Sequence, residues 1–396
     1  MTVPTDELLL AAESILPDVI ALRRDLHANP ELGLRLPGTQ SRIVDALAGL
    51  GLDIKLGENL SSVVADLDTG RPGPTILLRG DMDALPLTED SGEPFSSTVE
   101  GRMHACGHDT HVAMLVGAAR LLAANKDELN GRVRFMFQPG EEGFHGARYM
   151  IEEGVLEGVD RAFAIHVDTN LEAGLIESRP GALLASSDEL RITVSGRGGH
   201  ASAPHHAIDP ITAACAMVTG FQTMVTREIE AFDPAVVTVA RISSGTTNNI
   251  IPETAYMEGT IRAFSEATRA KVHDGIARVA AGIAAAHNCG CDVAITKGYP
   301  VTVNHAADVE LVEAATAATL GEGRYREAPT PNPASEDFSY VLQQVPGAMA
   351  SLGVCPEGIE DPSTAASLHS NRAVVNEAAL ASGIALHAAM AIARPG

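Results

Sequence analysis

The stretch Thr75-Ile76-Leu77-Leu78-Arg79-Gly80-Asp81-Met82-Asp83-Ala84-Leu85-Pro86 decides how this chain is read. Its first half is a short apolar run, the mark of a strand buried on both faces. Its second half turns acidic and ends on proline, so the strand hands the chain to a loop that carries carboxylates. Downstream, a helix is predicted over His111–Ala124. Val133, Phe135 and Phe137 then alternate in a strand that ends at Gln138-Pro139-Gly140, and Ala162–Val167 reads as a third strand. This alternation predicts an α/β layer with a mostly parallel sheet flanked by helices. Upstream, Leu8, Leu9, Ala12, Ile15 and Leu16 form a helical stripe that Pro17 is expected to kink or restart and Pro30 to stop. A second helix is predicted from about Thr39, with Ile43, Leu47 and Leu50 on one face and Gly51 as its C-cap.

The middle of the chain has another rhythm. Strands are predicted over Glu189–Ser195, Val236–Ser243, Thr254–Phe264 and Asp292–Lys297, with helices over Ile208–Glu228 and Thr268–His287. The order β-α-β-β-α-β is the ferredoxin-like pattern. It defines an inserted α+β domain at 183–297, and the catalytic domain is then 1–182 plus 298–396. Helices over Ala306–Leu320, Glu336–Gln344 and Asn376–Ile392 and a strand over Ala348–Val354 return the chain to the first layer.

Composition excludes several classes. The formal net charge of -23 repels nucleic-acid phosphate and anionic lipid, so neither is an expected partner. No apolar run reaches the roughly 18–20 residues a membrane span needs. With no leader pattern, a cytoplasmic setting is expected. The five cysteines argue against a disulfide framework. Cys215 and Cys355 read as small apolar core residues, while Cys289 and Cys291 lack the second pair that a zinc knuckle needs.

Four clusters carry chemistry: the acidic loop above, Met103-His104-Ala105-Cys106-Gly107-His108-Asp109, Gln138-Pro139-Gly140-Glu141-Glu142-Gly143, and His166. A lone histidine in an apolar strand is ordinarily structural, and a lone Glu-Glu pair is ordinarily a solvated turn. Here three strands deliver Asp, Glu or His to their carboxyl ends, where open α/β sheets bind ligands. Cys, His and Glu are ligand types for zinc and neighbouring divalent ions. Gly107 lets the backbone bend to aim Cys106 and His108 together. A carboxylate left over beside such a site suits a general base.

The sequence resembles the M20 metallopeptidase superfamily, and within it the aminoacylase, hippurate hydrolase and auxin-conjugate hydrolase branch. The resemblance spans almost the whole chain. It rests on DLHANPELG (25–33), RGDMDALP (79–86), MHACGHD (103–109), QPGEEG (138–143), GGHASAP (198–204), NIIP (249–252), GTIR (259–262) and SEDF (335–338). It implies that Cys106, His108, Glu142, His166 and His369 hold two divalent metal ions per subunit, with Cys106 bridging them. Zinc is the first expectation for the metal, and manganese, cobalt or nickel the alternatives. It further implies Glu141 as general acid/base, Asp83 as support for the site, and His200 as an oxyanion donor reaching the partner subunit's site. Asn249 and Arg262 become substrate contacts, Arg262 through the planar fork that suits a carboxylate. His27, His104 and His111 are left as structural or supporting, and His205 and His206 as surface residues. Wider relatives often place a histidine where this chain has Asp81, which points to the acylamino-acid branch. The implied activity is hydrolysis of an N-acyl amino acid, a small-molecule substrate, by a homodimer whose inserted domain serves as dimerisation and lid domain. A dipeptidase or carboxypeptidase of the same superfamily and a non-catalytic metal-binding scaffold are the alternatives.

Overall fold

The computed structural model describes residues 5–393, and the chain divides into two compact units. The first comprises 1–183, 303–330 and 337–396. The second comprises 184–302 and 331–336.

The first unit is built on an eight-stranded sheet. Its strands run in the order Asp53–Leu56, Val63–Asp68, Arg132–Gln138, Thr75–Asp81, Arg161–Asp168, Gly347–Gly353, Ile176–Ser178, Tyr325–Glu327. The central pairings from Arg132–Gln138 to Gly347–Gly353 are parallel. Antiparallel pairings appear toward the margins, including Asp53–Leu56 on Val63–Asp68 and Val63–Asp68 on Arg132–Gln138. The central strands are buried along nearly their whole length, as a sheet covered on both faces requires.

Helices Thr5–Ala28, His108–Ala124, Ala306–Leu320 and Leu380–Ile392 pack on one another beside this sheet. The helix His108–Ala124 is buried on every side, which explains why its sequence has little amphipathic stripe. It meets Leu380–Ile392 at glycines. A Cβ on Gly383 would lie 2.1 Å from Met114 Sδ, and one on Gly117 would lie 2.9 Å from Ile384 Cδ1. That contact fixes the helix whose first residue is His108.

Pro17 does not interrupt the first helix, which runs unbroken over Thr5–Ala28. Pro17 and Glu13 lie on its exposed face, so the carbonyl that proline leaves without a donor can turn to water. The helix expected over Glu336–Gln344 is only Ser339–Leu342. Asp337 is drawn instead into side-chain bonding, its Oδ2 accepting the Ala147 N–H at 2.9 Å.

The second unit is a four-stranded antiparallel sheet in the order Ala235–Ser244, Thr254–Ala263, Asp188–Ser195, Gly290–Lys297. Helices Pro210–Glu228 and Glu266–Ala286 cover one face, and the core between them is Leu190, Ile192, Met217, Phe221, Met257 and Ile276 with their neighbours. Asp209 and Ser265 cap the two helices through Ile211 N–H and Thr268 N–H. Cys355 is buried, but Cys215 is exposed. The helix Pro210–Glu228 buries Ala213, Ala214, Met217, Phe221 and Met224, and Cys215 falls outside that stripe.

Candidate metal centre

The parallel strands Thr75–Asp81, Arg132–Gln138 and Arg161–Asp168 end at one edge of the sheet. Just beyond them come Asp83 and the Glu141-Glu142 turn, with His166 in the last turn of the third strand. Gly107 opens the helix beneath at φ 81°, a left-handed conformation. Its position admits no Cβ, because one would lie 2.5 Å from Val167 Cγ2.

Here the ligand-type side chains converge. Cys106 Sγ lies 3.5 Å from His166 Nε2 and 3.2 Å from His369 Nε2. His369 Nε2 lies 3.2 Å from Glu142 Oε1, and His108 Nε2 lies 4.0 Å from the same oxygen. Two triads of ligand atoms each fit within 4.8 Å: Cys106, His108 and His166, and Cys106, Glu142 and His369. Cys106 belongs to both. His108, Glu141 and Glu142 form a further group within the same limit.

Each ring is held by the atom that faces away from the cluster. His108 Nδ1 donates to the Asp83 carbonyl at 2.9 Å, and His166 Nδ1 donates to the Val167 carbonyl at 2.7 Å. Both Nε2 atoms are thereby aimed inward. The Asp83 carboxylate accepts the N–H of Glu141 at 2.9 Å and of Glu142 at 3.1 Å, so it shapes the glutamate turn and stands back from the cluster. His369 adopts φ 67°, uncommon for a non-glycine, and its N–H is anchored on the Ala105 carbonyl at 2.9 Å.

The electrostatics match this donor set. Burial pushes the Cys106 thiol up, but the charges of His108 and His166 outweigh it and bring the group to about 6. Hydrogen bonds to Cys106 and Glu142 raise His369 to about 10. Glu142 is held below its ordinary value: burial opposes this, and the His369 hydrogen bond and His108 charge override it. His108 Nε2 is fully buried and has no hydrogen-bond partner. A thiolate, a carboxylate and imidazole nitrogens aimed at one point fit divalent cations of the zinc type, which would take the place of the ring protons.

Asp81, His108 and His111 also lie within ligand range of one another. They are not a third such triad. His111 donates from Nδ1 to Asp81 Oδ1 at 2.5 Å and accepts the Val167 N–H on Nε2 at 2.9 Å, so neither nitrogen has a lone pair to give. Asp81 Oδ2 pairs with Arg79 Nη1 at 2.7 Å. Arg79 is wholly buried and also donates to Gln138 Oε1 and to Asp337 Oδ1. Sequence reasoning gave Arg79, Gln138 and Asp337 no role, although a charge closing an otherwise apolar strand was the available signal.

Behind the cluster, Asp109 forms an ion pair with Arg23, Nε to Oδ2 2.8 Å, and accepts from His27 Nδ1 at 2.8 Å, at the first turn of the helix that starts with His108. His27 rises to about 9: burial opposes the rise and Asp109 drives it. This ties the DLHANPELG segment to the centre.

Residues 77–393 match the sequence model of peptidase family M20/M25/M40. The chain belongs to this family. It is an enzyme acting on amide bonds. The chain is similar to Thermostable carboxypeptidase 2 of Saccharolobus solfataricus, 40% identical with 94% of each chain covered. It is similar to N-acetylcysteine deacetylase of Bacillus subtilis, 39% identical over 85% of this chain and 88% of that one. Among solved structures, the Bacillus subtilis YXEP protein, described as a dinuclear metal-binding peptidase from the M20 family, superposes with a TM-score of 0.83. It is 34% identical, with 96% of this chain and 98% of that one covered.

Three residues singled out in this M20 chain lie in the second unit, apart in sequence from the cluster. His200 is exposed in the short strand Gly199–His200, its Nδ1 2.7 Å from Ser202 Oγ. Asn249 is exposed, and its carbonyl accepts the Ala201 N–H at 3.0 Å. Arg262 is half-buried, and Nη1 donates to Ser335 Oγ at 3.3 Å. Arg262 has no carboxylate within ion-pair range among the described residues, and burial lowers its pKa. His205 and His206 are exposed.

Proposed function

We propose that the protein hydrolyses the amide bond of N-acyl amino acids, releasing a carboxylic acid and a free amino acid, at a two-metal centre held by Cys106, His108, Glu142, His166 and His369. The observation that supports it best is the pair of ligand triads sharing Cys106 with Glu141 buried beside them. The thiolate and imidazoles favour zinc, with manganese, cobalt or nickel as alternatives. When bound, the ions supply Lewis acidity to the amide carbonyl and to the attacking water.

The chain's own residues do the rest. Glu141 takes a proton from water as the carbon–oxygen bond forms, then delivers it to the amide nitrogen as the carbon–nitrogen bond breaks. Asp83 holds the Glu141 backbone for that task through the 2.9 Å hydrogen bond. His200 donates to the developing oxyanion. Arg262, a partly buried cation bonded to a serine hydroxyl, suits the free α-carboxylate of the substrate, and Asn249 is a second substrate contact.

The same reading carries a homodimer. The strand Ala235–Ser244 ends one side of the second unit's sheet, with Val236 and Ile242 about half exposed and Phe232 beside it 95% exposed. An edge of this kind is suited to pair with a second copy. The division into a catalytic unit and an inserted dimerisation and lid unit belongs to this proposal. So does a cytoplasmic setting, supported by five unbridged cysteines.

The test is a panel of N-acyl amino acids, free dipeptides and C-terminally unblocked peptides, assayed with metal-defined enzyme. Turnover of the N-acyl amino acids should vanish on chelation and return with a divalent ion. A carboxypeptidase is the second reading, favoured by the 40% identical relative. It cuts a related bond, an amide whose nitrogen belongs to a residue with a free carboxylate. Faster turnover of peptides than of simple acyl amino acids would replace the first reading with the second.

A further inference from the structure

We propose that Asp81 and His111 are positioning residues for the metal centre, forming a buried hydrogen-bond relay, anchored on Arg79 by an ion pair, that ends on Val167 and fixes the ring of His166. The inference rests on His166 and Cys106 being ligands and adds what sets their geometry.

The relay has a single direction. Arg79 Nη1 forms an ion pair with Asp81 Oδ2 at 2.7 Å. Asp81 Oδ1 accepts from His111 Nδ1 at 2.5 Å. His111 Nε2 accepts the Val167 N–H at 2.9 Å, so the ring is neutral with its proton on Nδ1. The Val167 carbonyl accepts His166 Nδ1–H at 2.7 Å, which leaves His166 Nε2 free to face Cys106. Val167 is thus gripped at both its N–H and its carbonyl, while its side chain lies against Gly107, between Cys106 and His108. The rings of His111 and His166 meet edge to face, centroids 4.6 Å apart. Arg79, Asp81, His111 and Val167 are all at most 1% exposed, so water does not substitute for any link.

A carboxylate at residue 81 satisfies this chain, one oxygen facing the Arg79 cation and the other accepting from His111. Asp81→Asn keeps the shape but brings one amide N–H₂. Turned toward Arg79, its amide N–H₂ faces the guanidinium, and the carboxylate charge that paired with it is gone. Turned toward His111, it forces the ring proton to Nε2, where it meets the Val167 N–H. Either way a buried donor is left facing a donor, and the displaced element is the residue that holds His166. Partners of this kind change metal affinity by about 10–100-fold.

The experiment measures zinc affinity by competition with a chromophoric chelator, on the full chain, for Asp81→Asn, His111→Phe and the double variant. Each single change should weaken zinc binding about 10–100-fold, and the double should lose no more than the larger single loss, because one relay is broken twice. Additive losses, or folded variants that bind zinc like the parent, overturn the proposal. If Asp81→Asn fails to fold, His111→Phe carries the affinity test. Nitrogen NMR of the His111 ring in the unaltered, zinc-loaded protein reads the relay directly: a proton on Nδ1 supports it, and a proton on Nε2 overturns it. Cys106→Ala separates this from the reading beneath. If Cys106→Ala loses zinc while Asp81→Asn and His111→Phe do not, the relay alone fails. If Cys106→Ala binds zinc like the parent, the ligand assignment fails.

Discussion

Gly107→Ala tests a tight point at the metal centre. Two separate effects act there. The residue sits at φ 81°, where a side chain costs about 1–2 kcal/mol. The new methyl would also lie 2.5 Å from Val167 Cγ2. Valine is stiff at χ1, and the Val167 backbone is bonded on both sides, so the neighbour has little room to give. Forcing a methyl into such a site costs about 1–3 kcal/mol more. The sum is about 2–5 kcal/mol, read as a lower urea midpoint in the presence of chelator. Because Cys106 and His108 flank the position, zinc affinity should fall as well. Adding Val167→Ala removes the clash and leaves the backbone strain. The double variant should therefore recover about 1–3 kcal/mol relative to the sum of the two single losses. A Gly107→Ala protein within about 0.5 kcal/mol of the parent, with unchanged zinc affinity, would refute the argument.

Three further outcomes follow from the geometry. Glu141→Gln should lose about 10²-fold or more in rate with metal content unchanged, whereas Cys106→Ala should lose metal itself; elemental analysis beside a rate assay separates them, and near-parental turnover by Glu141→Gln would remove it as the base. His387 is wholly buried, with no protein partner on either ring nitrogen, and burial depresses it to about 3. The unfolded chain takes up that proton below about pH 6.5 and the folded chain does not, so stability falls with pH from there toward about 3, by up to about 1.4 kcal/mol per pH unit. His387→Leu should flatten that slope in denaturation curves at pH 5 and 6, and an unchanged slope would contradict it. Mixing exchanged subunits of Glu141→Gln and His200→Ala should restore about a quarter of parental activity if His200 acts across the dimer, since about half the dimers are mixed and each has one complete site. No recovery despite proven exchange would confine His200 to its own chain.

Much of the fold was legible because its signals are local. The apolar run Thr75–Arg79, the alternation at Val133, Phe135 and Phe137, and the two long helices of the inserted pattern all fall in observed elements. Asp53–Leu56 was missed because it is four residues long and mostly exposed, so the alternation of Ile54 and Leu56 is too short to stand out. Cys215 was misread because residue type was allowed to outweigh helical phase: the buried stripe of Pro210–Glu228 passes it by. Pro17 does not restart the helix, because the rule that proline breaks helices assumes a carbonyl with nowhere to go, and Pro17 and Glu13 lie on the exposed face.

The centre itself divides along the same line. Cys106 and His108 are one residue apart, and Glu141 and Glu142 are adjacent, so spacing could suggest them. His369 contacts Cys106 across 263 positions, through a left-handed backbone and a bond to Ala105 that no pattern announces. Val167 is the further case. Nothing about a valine ending an apolar strand marks it as functional, yet His111, His166 and Gly107 all meet on it. Its N–H donates to one ring and its carbonyl accepts from another, and its methyl sets how closely the Cys106–His108 turn approaches the sheet. An ordinary core residue therefore transmits the register of the strand Arg161–Asp168 to the ligand atoms, and the geometry of the centre is inherited from the packing of the sheet rather than imposed on it.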